Sequence, residues 1–88
     1  MSTSIRIDKN AIETAYSFFH QKERVYAHST MEWQKDDIEY AISSYVQDMD
    51  KTLYGLLADG HDDFLVDHHR FHDDILYAIE VMEKLLNQ

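Results

Sequence analysis

Hydrophobic residues recur along this chain at intervals of three and four positions, without any sustained two-residue alternation. Such spacing places the apolar side chains on one face of an α-helix, because the helix completes a turn about every 3.6 residues. Three segments carry the pattern, over about residues 9–28, 30–58 and 62–86. The sequence therefore predicts an all-α protein, built as an antiparallel three-helix bundle.

Few residues in the sequence interrupt a helix, since the chain has no proline and only two glycines. The pair Asp59–Gly60 marks the clearest boundary, because glycine readily adopts the left-handed conformation that ends helices. Ser29 is predicted to cap the second helix, since a glutamate three residues later completes a capping-box pattern. Either Asp8 or Asn10 can cap the first helix.

The chain length of 88 residues suits one domain over residues 1–88, with residues 1–8 as a flexible or extended N-terminal arm. At 1.5 Å per residue, the second helix would be about 43 Å long and the first about 30 Å. An apolar stripe that overhangs its neighbours would stay wet in a monomer, and small chains often cover such stripes by self-association. We therefore expect a homodimer to complete the bundle. A break in the second helix, near Ser43–Ser44 or Gly55, would weaken this expectation.

Charge narrows the choice of partners. The chain has 17 acidic and 8 basic residues, for a formal net charge of −9. Residues 29–60 and 61–88 each hold two basic and seven acidic residues, whereas residues 1–28 are slightly basic. An acidic surface repels phosphate backbones and anionic lipids, so we expect no direct binding of nucleic acid or membrane and favour a basic protein partner. The alternative is that the acidic residues only keep a small domain soluble.

Several classes of protein do not fit the composition. Without cysteine there are no disulfides and no cysteine-based metal or redox sites. No apolar run reaches the roughly 18 residues of a membrane span, and the first residues lack the apolar segment of a signal peptide. A cytoplasmic location is therefore expected. Glycine-rich phosphate loops and G-x-S-x-G motifs are also missing, so we expect no enzymatic activity.

Large aromatic residues form a second stripe on the predicted second helix, opposite its apolar face. Trp33, Tyr40 and Tyr54 make up this stripe, and Tyr77 belongs to a weaker counterpart on the third helix. Tryptophan and tyrosine are enriched among the residues that dominate binding energy at protein interfaces. We therefore predict these four residues as a partner-binding surface for a basic, partly apolar protein or a second copy of the chain. Alternatively, they are unrelated surface aromatics.

Histidines give an alternative prediction. His61, His68 and His72 share one face of the third helix if that helix extends back to His61. His68 and His72 are four residues apart, which lets two imidazoles bind one divalent metal such as zinc. His69 stands where the zinc-protease motif requires glutamate, so the pattern does not indicate that chemistry. Other interpretations make His68 a core histidine bonded to a tyrosine or carboxylate, or make the six histidines respond to pH.

The pattern, charge and motifs together predict a small acidic interaction or regulatory module. It is expected to self-associate, to need no cofactor, and to bind or inhibit a basic protein. The alternative is a metal-binding or metal-sensing helical bundle that uses the histidine cluster of the third helix.

Overall fold

The structure is a computed structural model that describes residues 8–87. Over that range it is all-helical, which confirms the predicted fold class. The predicted N-terminal arm, residues 1–8, lies outside the described residues except for Asp8. Four α-helices and one turn of 3-10 helix follow one another: α1 Lys9–Ala27, α2 Glu32–Asp48, α3 Lys51–Ala58, the 3-10 turn His68–Arg70 and α4 Phe71–Leu86.

The bounds of α1 agree with the predicted first helix to within one residue. Asp8 is its N-terminal cap, because the carboxylate accepts a hydrogen bond of 3.0 Å from the backbone N–H of Asn10. At the other end, the Ser29 hydroxyl donates to the backbone carbonyl of Val25 at 2.8 Å. Ser29 thus closes α1 and does not cap α2, so the predicted capping box is wrong. The side chain of Gln34 accepts from the backbone N–H groups that precede α2.

The predicted helix over residues 30–58 is wrong as a single rod, because the chain breaks between α2 and α3. Met49 and Asp50 both leave the helical conformation, with ψ angles of 169° and 126°. The Asp50 carboxylate then accepts a hydrogen bond of 2.9 Å from the backbone N–H of Leu53 and starts α3. The break lies at neither position considered from the sequence, since Ser43–Ser44 is inside α2 and Gly55 is inside α3.

The predicted third helix over residues 62–86 is also wrong in its first part, because α4 begins only at Phe71. Leu65, inside the predicted helix, has a positive φ angle of 57°, which a continuous α-helix does not allow. The positive φ angles of Asp59 and Gly60, 49° and 81°, confirm the boundary predicted at that pair. The backbone N–H of Leu65 donates to the Asp74 carboxylate at 2.9 Å, so α4 holds this connection in place.

Antiparallel packing joins α1 to α4 and α1 to α2. Along the first pair, Tyr16 near the middle of α1 bonds to Glu83 near the end of α4, while the Tyr26 ring near the end of α1 lies 6.0 Å from the Phe71 ring at the start of α4. Along the second pair, Tyr26 bonds to a glutamate of α2, while Phe18 stacks on a tyrosine near the end of α2. The short helix α3 packs against α4.

The core is continuous across all four helices and the connection before α4. Its largest fully buried side chains are Phe19, Phe71, Ile42, Leu53, Leu57, Leu65, Ile75 and Met82. With 17 residues, α2 is about 26 Å long and lacks the overhang that a helix of about 43 Å would have. The expectation of a homodimer loses that support and stays a prediction.

Candidate functional site

One face of α2 presents two large aromatic side chains to solvent. Trp33 is 59% exposed and Tyr40 is 76% exposed, and their spacing of seven residues is about two helical turns. Asp36 and Asp37 lie between them and are also exposed. We call these four residues the α2 ridge.

The fold fixes the outward direction of this ridge. On the opposite side of α2, Ile38 and Ile42 are buried, at 7% and 0% exposure. Rotating α2 to bury the aromatics would expose these side chains, so the ridge stays in solvent. The indole N–H of Trp33 donates to the sulfur of Met31 at 3.0 Å, a weak acceptor on a side chain that is itself half exposed.

The other two predicted partner-binding residues lie on other helices. Tyr54 belongs to α3 and is half-buried, with its ring 6.0 Å from the Phe64 ring. Tyr77 is on α4, is 40% exposed, and borders a depression that also contains His61 and Arg70. Of the four predicted aromatics, only Trp33 and Tyr40 share one helix face.

The three predicted metal ligands are separated because the third helix starts late. His61 follows α3, and its Nδ1 lies 3.0 Å from the backbone carbonyl oxygen of Ala58. His68 opens the 3-10 turn, and His72 lies in the first turn of α4. The condition for a shared helical face is therefore not met, because the helix does not extend back to His61, and metal binding by these three histidines stays a prediction.

His68 and His72 each contact a glutamate from another helix. The Nδ1 atom of His68 is 2.6 Å from Oε2 of Glu39 on α2. The Nε2 atom of His72 is 2.9 Å from Oε2 of Glu23 on α1. These contacts match the interpretation of His68 as a histidine bonded to a carboxylate, although its side chain is 45% exposed and lies at the edge of the core.

Glu39 is the centre of a small polar network. The hydroxyl of Tyr26 donates to the same Glu39 oxygen at 2.7 Å, and the Glu39 side chain is only 17% exposed. Burial and this hydrogen bond raise the pKa of Tyr26 above its ordinary value. Asp36 completes the network, since ligand atoms of Asp36, Glu39 and His68 all lie within 4.8 Å of one another.

The sequence does not reveal which carboxylates His68 would contact. Asp36 and Glu39 are three residues apart on one helix, which is visible in the sequence. Their partner His68 is 29 positions beyond Glu39 and reaches it only because the chain turns back before α4. The depression beside the network has a volume of about 260 Å³ and is lined by residues that include Lys35 and His72.

A larger depression, of about 650 Å³, lies along the exposed side of α1. The residues that line it include His20, Arg24 and His28, and none of the lining residues that the structure describes has a carboxylate side chain. It therefore offers no carboxylate–histidine pair for acid–base chemistry or for binding a metal.

Comparison with known proteins finds no matching family, curated protein or solved structure. The α2 ridge and the polar network around Glu39 are therefore the features that bear on function. Within residues 8–87, none of the helices has the length and apolar character needed to cross a lipid bilayer.

Proposed function

We propose that this protein is a non-enzymatic, cytoplasmic interaction module whose α2 ridge binds a basic segment of a partner protein. One observation carries the proposal: two large exposed aromatics on one helix face, Trp33 and Tyr40, enclose two exposed carboxylates. Exposed single aromatics need no explanation, but this combination has the chemistry of a site for lysine and arginine.

Each part of the α2 ridge suits a basic side chain. The faces of tryptophan and tyrosine rings attract guanidinium and ammonium groups through cation–π interactions. The carboxylates of Asp36 and Asp37 can accept charge-assisted hydrogen bonds from the same groups. Since Trp33 and Tyr40 are about 10 Å apart along the helix axis, the ridge is long enough for two or three basic side chains.

The net charge of the protein supports the same partner. A formal charge of −9 attracts a basic chain over a distance and orients its approach. One form of this function is inhibition of a nucleic-acid-binding protein, with carboxylates taking the place of phosphates. A single helix face is smaller than a standard protein interface, so we expect an affinity in about the micromolar range.

Substitutions on the ridge test the proposal by calorimetric titration with a synthetic arginine-rich peptide, in the presence of a metal chelator. Trp33→Ala and Tyr40→Ala should each weaken binding about thirtyfold, because removing an aromatic that dominates an interface costs about 2 kcal/mol or more. Both residues are exposed, so circular dichroism should show an unchanged fold. Tyr77→Ala removes an exposed tyrosine from α4 and should leave the affinity unchanged, which would limit the predicted four-residue surface to the α2 ridge.

A pair of charge variants separates the ridge from general attraction between opposite charges. Asp37→Asn removes one carboxylate from the ridge, and Asp62→Asn removes one exposed carboxylate outside it. The first should weaken peptide binding several-fold more than the second. Equal effects of the two, together with unchanged binding by Trp33→Ala, would show that only the overall charge matters and would contradict the proposal.

Self-association is the competing use of the ridge. If a second copy of the chain covers Trp33 and Tyr40, sedimentation of the wild-type protein will give twice the mass of 10.5 kDa and Trp33→Ala will restore the monomer. That result would reassign the ridge from a basic partner to the homodimer.

A further inference from the structure

A second site lies where α2 meets the 3-10 turn before α4. We propose that Asp36, Glu39 and His68 bind one divalent transition-metal ion, with zinc as the representative. The site shares Asp36 with the α2 ridge, but it does not require that the ridge bind a partner. It also differs from the metal site predicted from the sequence, of which it keeps only His68.

The ligand atoms are already close to the arrangement that a metal requires. They lie within 4.8 Å of one another, whereas two atoms bound to one zinc ion at about 2.1 Å are at most about 4.2 Å apart. Asp36 is exposed and can rotate by the small amount that is needed. The Nδ1 atom of His68 and Oε2 of Glu39 are 2.6 Å apart, a hydrogen-bond distance, so a metal ion would displace the proton between them and separate the two atoms slightly.

Local structure holds the two less mobile ligands. The hydroxyl of Tyr26, a buried residue, donates to Glu39 at 2.7 Å and fixes the orientation of its carboxylate. Hydrogen bonds of this kind to metal-binding carboxylates orient them and tune the metal. His68 sits in a turn that Asp67 caps, because its carboxylate accepts from the backbone N–H of His69 at 3.0 Å.

The type of ligand indicates the class of metal. One imidazole nitrogen with two carboxylates suits zinc and neighbouring first-row ions better than magnesium or calcium, which prefer oxygen ligands alone. Three protein ligands leave at least one coordination position for water or for a group of another molecule. Lys35 borders the same depression, where its ammonium nitrogen lies 5.9 Å from the centre of the Tyr26 ring.

The neighbouring histidines are engaged elsewhere. His72 is 2.9 Å from Glu23, and the Nδ1 atom of His61 is 3.0 Å from a backbone carbonyl oxygen. They therefore serve as matched controls for His68 in the same protein.

The experiment uses full-length protein without a histidine tag, freed of metal by a chelator. Zinc is then titrated in competition with a chromophoric chelator. Wild-type protein should bind one equivalent, and His68→Ala and Asp36→Asn should each weaken zinc binding at least about tenfold. His61→Ala and His72→Ala should bind zinc like the wild type. Asp36→Asn is nearly isosteric at an exposed position, so the test does not depend on a variant that fails to fold.

A second measurement identifies the ligand directly. In NMR spectra of the histidine ring nitrogens, one equivalent of zinc should shift the His68 signals and leave those of His61 and His72 in place. The inference is overturned if wild-type protein shows no saturable zinc binding, if zinc spreads over several histidines, or if His68→Ala and Asp36→Asn bind as tightly as the wild type. Trp33→Ala should retain zinc, so failure of the ridge and failure of the metal site can be told apart.

Discussion

Individual tyrosine hydroxyls connect α1 to the helices on either side of it. Tyr26 bonds to Glu39 of α2, and the Tyr16 hydroxyl donates to Glu83 of α4 at 3.0 Å. The bond to Glu83 raises the pKa of Tyr16 above its ordinary value, because ionising the phenol would place two negative charges side by side. Burial raises the pKa of Tyr45, whose ring stacks on Phe18 at 4.0 Å between centroids. Each of these phenols is therefore kept protonated by the folded chain.

Raised tyrosine pKa values predict a loss of stability at alkaline pH. The stabilisation is fully present below the unfolded-state pKa of about 10 and is lost as the pH rises through the folded-state value. Urea unfolding should therefore give a free energy that falls above pH about 10, and less steeply in Tyr16→Phe than in the wild type. Tyr40→Phe, which changes an exposed residue of the ridge, is the control and should follow the wild type. The same decline in Tyr16→Phe as in the wild type would contradict this role of Glu83.

At the scale of the elements, the sequence predicted α1, the boundary after Ala58 and the end of α4 at Leu86 well, but it missed the interruptions inside the second and third predicted helices. The apolar face of α1 is a local feature that can be recognised without the rest of the fold, whereas the sequence only narrowed its cap to Asp8 or Asn10 and the structure shows Asp8. No glycine or proline marks the break after α2. Met49 lies at the break and has an extended backbone, but its side chain is buried and continues the apolar spacing of α2, so the pattern does not reveal the break. Phe64 and Leu65 mislead in the same way, because they are buried at helical spacing although the backbone around them is a turn.

The two candidate sites also differ in whether local sequence is enough to predict them. The exposure of Trp33 and Tyr40 could be predicted from one helix, because both lie opposite the apolar face of α2. The cluster around Glu39 could not be predicted, since it depends on where the connection before α4 places His68.

The start of α3 provides a prediction at this scale. Asp50→Ala removes the carboxylate that bonds to the backbone N–H of Leu53, and should lower the free energy of unfolding by about 1 kcal/mol. Asp50→Asn should retain most of the stability, since asparagine caps helices nearly as well. Asp48→Ala is the matched control, an exposed aspartate at the C-terminal end of α2. Urea unfolding measures all three variants, and equal stability of Asp50→Ala and Asp48→Ala would show that the cap does not hold the break.

For the molecule as a whole, burial and charge act on different surfaces. All four helices contribute to one core, so the residues on their outward faces are not needed to form it. Among those faces, the α2 ridge combines exposed aromatic rings with carboxylates in a protein of net charge −9. Apolar residues outside the ridge, such as Val25 and Leu76, are 51% and 45% exposed, so the predicted homodimer does not have to use the ridge.

The central claim is that the ridge binds a basic protein segment, and the fluorescence of Trp33 tests it most directly. Trp33 is the one tryptophan in the sequence, so the emission reports from the ridge itself. Titration with the arginine-rich peptide should change the Trp33 emission until the change saturates. The apparent Kd should rise steeply as the salt concentration is raised from about 50 to about 500 mM. Peptide binding that leaves the emission unchanged, or an affinity that does not depend on salt, would contradict the claim.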